Sequence, residues 1–93
     1  MDNKSEPLEE RAIAERIRME EVFGKLVRKD NGHIADEFLS MAENYFKDSK
    51  YFFGEGDIVR AFEAVVISWS YIDAGIKAGF FSVPEELREY FTS

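Results

Sequence analysis

Apolar positions recur at helical spacing on either side of a short glycine-containing break. Before it stand Ile34, Phe38, Met41, Tyr45 and Phe52; after it stand Ile58, Phe62, Val65, Trp69, Ile72 and Ile76. Both sets follow the three-to-four-residue period of a helix with a buried face. The break itself, Phe53-Gly54-Glu55-Gly56-Asp57, offers glycines to end one helix and an aspartate to cap the next. The pattern predicts a tight helical hairpin, with helices over about residues 33–53 and 58–78. The first of these carries a second apolar row, Ala35, Leu39, Phe46 and Phe53, which predicts two packing partners rather than one. The second is apolar nearly all round, interrupted by Arg60, Glu63, Ser70, Asp73 and Lys77. A helix wetted on so little of its surface is either central or covers something else.

The flanks complete the picture. Residues 6–29 predict a further helix, with Ser5 as its cap and Glu6 and Pro7 in its opening turn. Leu8, Ala12, Met19, Phe23 and Leu26 form one apolar row and Ile13, Ile17 and Val27 a second, with Arg16 and Glu20 interrupting. Lys29-Asp30-Asn31-Gly32 reads as the turn that ends it. Downstream, Gly79 is placed for a left-handed helix end, and Ser82, Pro84 and Glu85 read as a new start. The short helix 84–91 puts Leu87, Tyr90 and Phe91 on one side and is expected to fold back over the third helix or the hairpin end. With no strand-like alternation, the chain reads as all-α: one domain over 1–93, an antiparallel up-and-down three-helix bundle with a short C-terminal fourth helix.

Composition sharpens this. Nine Phe, four Tyr and one Trp in 93 residues supply much buried area for a small core. The net charge of −7 is uneven: residues 1–29 are neutral and residues 30–93 carry all of it. That balance disfavours non-specific nucleic-acid binding, which needs cations to displace counterions. Arg11, Arg16, Arg18, Lys25, Arg28 and Lys29 of the first segment form a local exception, read either as a solvated face with Glu21 and Lys25 paired or as a weak nucleic-acid surface. The absence of cysteine fits a reducing cytoplasm, no apolar run near the N-terminus resembles a secretory leader, and no window is long enough to span a membrane.

Tyr45, Asp48, Tyr51-Phe52, Gly56-Asp57, Ala61-Phe62 and Ile72-Asp73-Ala74-Gly75, with Gly79, resemble a family of short archaeal proteins, domain of unknown function 357. The resemblance covers roughly residues 15–82 and is most specific in the hairpin and the Asp-Ala-Gly segment. It implies a compact three-helix bundle of archaeal cytoplasmic origin. It implies no activity and no catalytic residue.

Chemistry-bearing clusters are few. His33 with Asp36 and Glu37 suggests a metal site or general base, but zinc wants three or four ligands and the chain has one His and no Cys; dipole compensation at a helix start explains the same residues. No metal or cofactor is therefore expected. Asp73 sits at the edge of the Trp69/Ile72/Ile76 stripe, where it needs a partner such as the hydroxyl of Tyr45 or Ser49. It reads either as a structural carboxylate or as lining a small pocket with Tyr45 and Trp69. Gly75 in mid-helix implies that something packs on it, either a neighbouring helix or a partner subunit. Tyr51, Ile67 and Tyr71 project away from the inferred core beside Glu63 and suggest an interaction surface. The leading expectation is a non-enzymatic protein-interaction module that binds a protein partner or itself, with Asp48, Glu55 and Glu63 steering a basic partner. Two alternatives stand beside it: a ligand-binding or enzymatic pocket at Asp73, Tyr45 and Trp69, and weak nucleic-acid binding through the first helix.

Overall fold

The computed structural model describes residues 6–91. Three long helices, α1 (Glu6–Lys25), α2 (His33–Gly54) and α3 (Ile58–Lys77), are followed by a single helical turn, α4 (Glu85–Arg88), which continues as a 3-10 turn (Glu89–Phe91). The predicted Ser5 cap lies outside the described residues. The long helices run up, down and up. Arg16 meets Phe53 and Phe23 meets Phe46, so α1 and α2 are antiparallel. Ser49 meets Ala61 and Ser68 meets Ala42, so α2 and α3 are antiparallel as well.

The hairpin forms as its glycines dictate. Gly56 takes φ +78° and Gly79 φ +85°, the left-handed conformation that lets a helix close its last carbonyls. At each site the two amides after the helix fold back: Gly56 and Asp57 donate to Phe53 and Phe52, and Gly79 and Phe80 donate to Ile76 and Gly75. Asp57 then caps α3, accepting from the Arg60 amide at 3.1 Å.

Two expectations need correction. The first helix ends at Lys25, four residues early, because Val27–Arg28 turns extended (β1) and pairs antiparallel with Phe81–Ser82 (β2). The ladder continues with the Lys29 amide donating to the Phe80 carbonyl at 2.8 Å. Val27 is β-branched and suits this state. Ser82, expected as a cap, is held in that ladder opposite Val27; Pro84 occupies the cap position of α4 and contributes no side-chain bond. The domain remains all-α apart from this two-residue bridge.

Met19, Val22, Phe46, Val65, Ile72, Phe81, Leu87 and Phe91 form the core. Helix α3 is central and packs on both other long helices. Its seam with α2 is built from small residues, Ala42, Ala61, Ala64, Ser49 and Ser68, all buried. Ser49 donates to the Ala61 carbonyl and Ser68 to the Ala42 carbonyl, each at 2.7 Å. The bonds are reciprocal, one from each helix to the other, so no buried hydroxyl is left unsatisfied. Gly75 has a different neighbour from those expected: the ring of Phe81 occupies the space its side chain would fill.

Candidate functional site

Most of α3 is consumed by packing, yet its N-terminal half keeps an apolar strip in solvent. Val59, Val66 and Ile67 are 56%, 40% and 39% exposed. Together with half-buried Phe62 and exposed Glu63 they make a continuous face between α1 and α2. On the α1 side the strip falls into a cleft of about 220 Å³ lined by Arg11, Glu15, Arg18, Phe62, Val66, Trp69 and Tyr90. On the α2 side lies a shallower groove of about 290 Å³ lined by Tyr45, Asp48, Phe52, Arg60, Glu63, Ala64 and Ile67.

The C-terminal half of the α1/α3 groove is already filled by the chain itself. Leu87 and Phe91 are buried there, and the Phe91 ring stacks on Trp69 at 5.5 Å. Tyr90 lies under the Arg18 guanidinium at 5.2 Å, and Glu86 pairs with Lys25 at 3.4 Å. This is the fold-back expected of residues 84–91, directed onto α3 rather than the hairpin end. The groove beyond it, toward Arg11 and Phe62, is open.

Electrostatics divide the two grooves. Arg11, Arg18 and Lys25 recur every seven residues, so they stand in one line, about 10 Å apart, along the α1 rim. Arg18 pairs with Glu15 at 3.0 Å, and Lys25 with Glu21 at 3.3 Å and with Glu86. The hydrogen bond that Lys25 donates to Glu21, then the one it donates to Glu86, holds its ammonium above its ordinary pKa. Arg11 has no ion-pair partner among the described residues. The α2/α3 groove instead presents Asp48 and Glu63, with Arg60 over the Phe52 ring and paired to Asp57.

The residues singled out by sequence fall as follows. Ile67 and Glu63 lie on the open strip, and Tyr51 on α2 is 63% exposed. Tyr71 does not project freely: it is half-buried, stacked on Tyr45 and edge-on to Phe38. Tyr45, Trp69 and Asp73 are not brought together. Tyr45 lines the α2 side of α3 and Trp69 the α1 side. Asp73 bonds to Lys77 at 3.0 Å, one turn along the same helix, and its second oxygen is buried without a partner. Ser49, offered as its partner, is committed to Ala61. His33 is exposed beside Glu37 at 3.3 Å, and the described residues contain no group of three or more His, Cys, Asp or Glu side chains placed to hold a metal. Of the other bases in the first segment, Arg16 of α1 lies over Phe53, and Arg28 of β1 pairs with Asp36 at 2.8 Å.

The α1/α3 cleft itself was missed by sequence reasoning. The seven-residue spacing of Arg11, Arg18 and Lys25 was the signal available; the groove it rims exists only once residues 85–91 fold back.

Among the described residues no helix is long and apolar enough to cross a membrane. No curated protein matches the chain. Its structure is similar to the crystal structure of a protein from Archaeoglobus fulgidus, assigned to the family of proteins of unknown function DUF357, with a TM-score of 0.75 and 29% identity over 88% of this chain and 100% of that one. The family model for proteins of unknown function DUF357 matches residues 8–81, which takes in α1 from its third residue, all of α2 and α3, and the chain as far as the first residue of β2, and the chain belongs to that family.

Proposed function

We propose that this protein is a non-enzymatic interaction module of the cytoplasm that docks a protein partner on the open face of α3. One observation carries the reading: the most apolar helix of the bundle leaves Val59, Val66 and Ile67 in solvent along its N-terminal half, while its other large apolar side chains are buried or half-buried. Exposed apolar side chains gathered on one face mark binding surfaces, whereas singly scattered ones do not. The cleft beside the strip, at about 220 Å³, is smaller than the roughly 300–1,000 Å³ of a small-molecule site. It has room for one large side chain, the size of an anchor in a protein interface.

The test is parallel affinity capture from cells of the source organism with the wild-type chain and with V66E/I67E. Both positions are exposed, so the double variant keeps its fold, checked by circular dichroism. A protein retained by the wild type and absent from the variant supports the reading. Identical sets of captured proteins would refute it.

A further inference from the structure

The geometry points to a specific kind of occupant: an amphipathic helix from another protein that seats its apolar side on Phe62 and Val66 and carries acids along the edge facing α1. This rests on the docking reading above and names its partner chemistry.

Two observations support it. The first is the rim. Arg11, Arg18 and Lys25 stand in line along the groove; Lys25 is paired with Glu21 and Glu86 and Arg18 with Glu15, which also lines the cleft, while the outermost, Arg11, stands without an ion-pair partner among the described residues beside the open cleft. The second is the occupant already present. Residues Glu85–Phe91 are an acidic amphipathic segment that inserts Leu87 and Phe91 into the same groove and sets Glu86 against Lys25. The segment runs from Lys25 toward Arg18, against the direction of α1, and Tyr90 forms the end wall of the open cleft. Within one molecule, then, half of the groove accepts an acidic amphipathic segment, and the other half repeats its features: an unpaired cation, Arg11, on the rim beyond the Arg18–Glu15 pair, and aromatic and aliphatic side chains on the floor. On the far edge of the strip Glu63 has the opposite sign. The fitting helix is therefore polarised, with carboxylates toward α1 and neutral or basic residues toward α2. Laying an apolar helix face into such a groove is a recurrent recognition mode, and charge complementarity at the rim sets orientation and partner choice.

A phage-displayed library of helical peptides, selected on the full chain, tests this. The expected consensus pairs two apolar residues one turn apart with Asp or Glu on one flank only. A synthetic peptide of that consensus should shift the emission of Trp69, the single tryptophan. R11E should weaken its binding about tenfold, with reduced salt dependence, as expected for reversal of a rim charge. V66E should weaken it further. Peptides without acidic bias, or acidic peptides indifferent to R11E, would overturn the inference. If their binding still falls with V66E, the docking face stands and only its charge preference is lost. No enrichment, alongside a captured protein whose retention V66E abolishes, likewise overturns the charge preference and leaves the docking face standing. Binding indifferent to V66E removes both. A dimer in sedimentation that V66E dissociates would make a second copy of the chain the occupant and overturn the inference.

Discussion

The two seams of α3 are built on different plans. Against α2 it presents alanines and serines, approaches closely, and ties the backbones together through Ser49 and Ser68. Against α1 it presents Val65 and Ile72 among Met19, Val22 and Phe23, and the wedge left outside these large side chains is filled over half its length by residues 85–91. Small residues close a seam with no space for anything else. Large ones hold helices apart and leave grooves between them. The first seam makes a scaffold; the second leaves a place to bind.

The comparison breaks most severely at the closed seam. S68L forces an isobutyl group between α2 and α3 and removes the hydroxyl's bond to the Ala42 carbonyl; overpacking of this kind should destabilise by about 3 kcal/mol, read by urea unfolding. S68A removes only the hydroxyl, and the lost hydrogen bond should cost about 1 kcal/mol. If leucine at this position costs no more than alanine, the seam is not closely packed.

On the open side, the largest effect should come from F91A. The Phe91 ring is buried against Trp69, and truncating a buried phenylalanine costs about 3 kcal/mol. Here the loss should fall on residues 85–91, with Trp69 emission moving to longer wavelength while the α2/α3 hairpin keeps its amide protection. Loss of protection throughout the domain would mean that the C-terminal segment is part of the scaffold rather than a filler of the groove.

Gly75 joins the two regions, since Phe81 packs on it from the β1–β2 bridge. At an ordinary helix position alanine would stabilise by about 1 kcal/mol over glycine. G75A should instead destabilise by about 1–2 kcal/mol, because the Phe81 ring, buried on its other side, must shift. A raised melting temperature would show that the ring yields freely.

The smallest effect is electrostatic. The Lys25 ammonium is held above its ordinary pKa by Glu21 and Glu86, so its contribution is full below the ordinary lysine value, about 10.4, and is lost as pH rises through the raised one. K25M should therefore melt slightly below the wild type at neutral pH and together with it in strong alkali. A difference that persists undiminished at high pH would assign the effect to packing of the Lys25 methylenes.

The hairpin was legible because its signals are local. Gly56, Asp57 and Gly79 act within about one helical turn of their own position, and the sequence places them unambiguously. The early end of α1 was not legible, because what competes with the helix is Phe81–Ser82, far away in the chain. The same holds for Gly75, whose neighbour arrives from that bridge. Ser49 reads from the sequence as a partner for Asp73, and only the facing Ala61 carbonyl reveals it as a seam residue. On α1 the rows Ala12/Met19 and Ile13/Ile17 look equivalent, yet the first is buried and the second exposed. Tyr71 failed for a related reason: on a helix that is apolar all round, periodicity cannot tell which aromatic will find rings beside it. Of the acids expected to steer a basic partner, Asp48 and Glu63 border one groove and Glu55 does not line it; the groove beside the bases of α1 became visible only with α4 in place.

The open face of α3 is tested most directly by position. A photo-cross-linking amino acid placed at Val66 and, separately, at Ile17, which is 61% exposed on α1, compares two apolar side chains both accessible to passing proteins. Irradiation in cells of the source organism should yield a discrete cross-linked species from position 66 and only background from position 17. Equal labelling from both, or none from position 66, would contradict the assignment of α3 as the docking face.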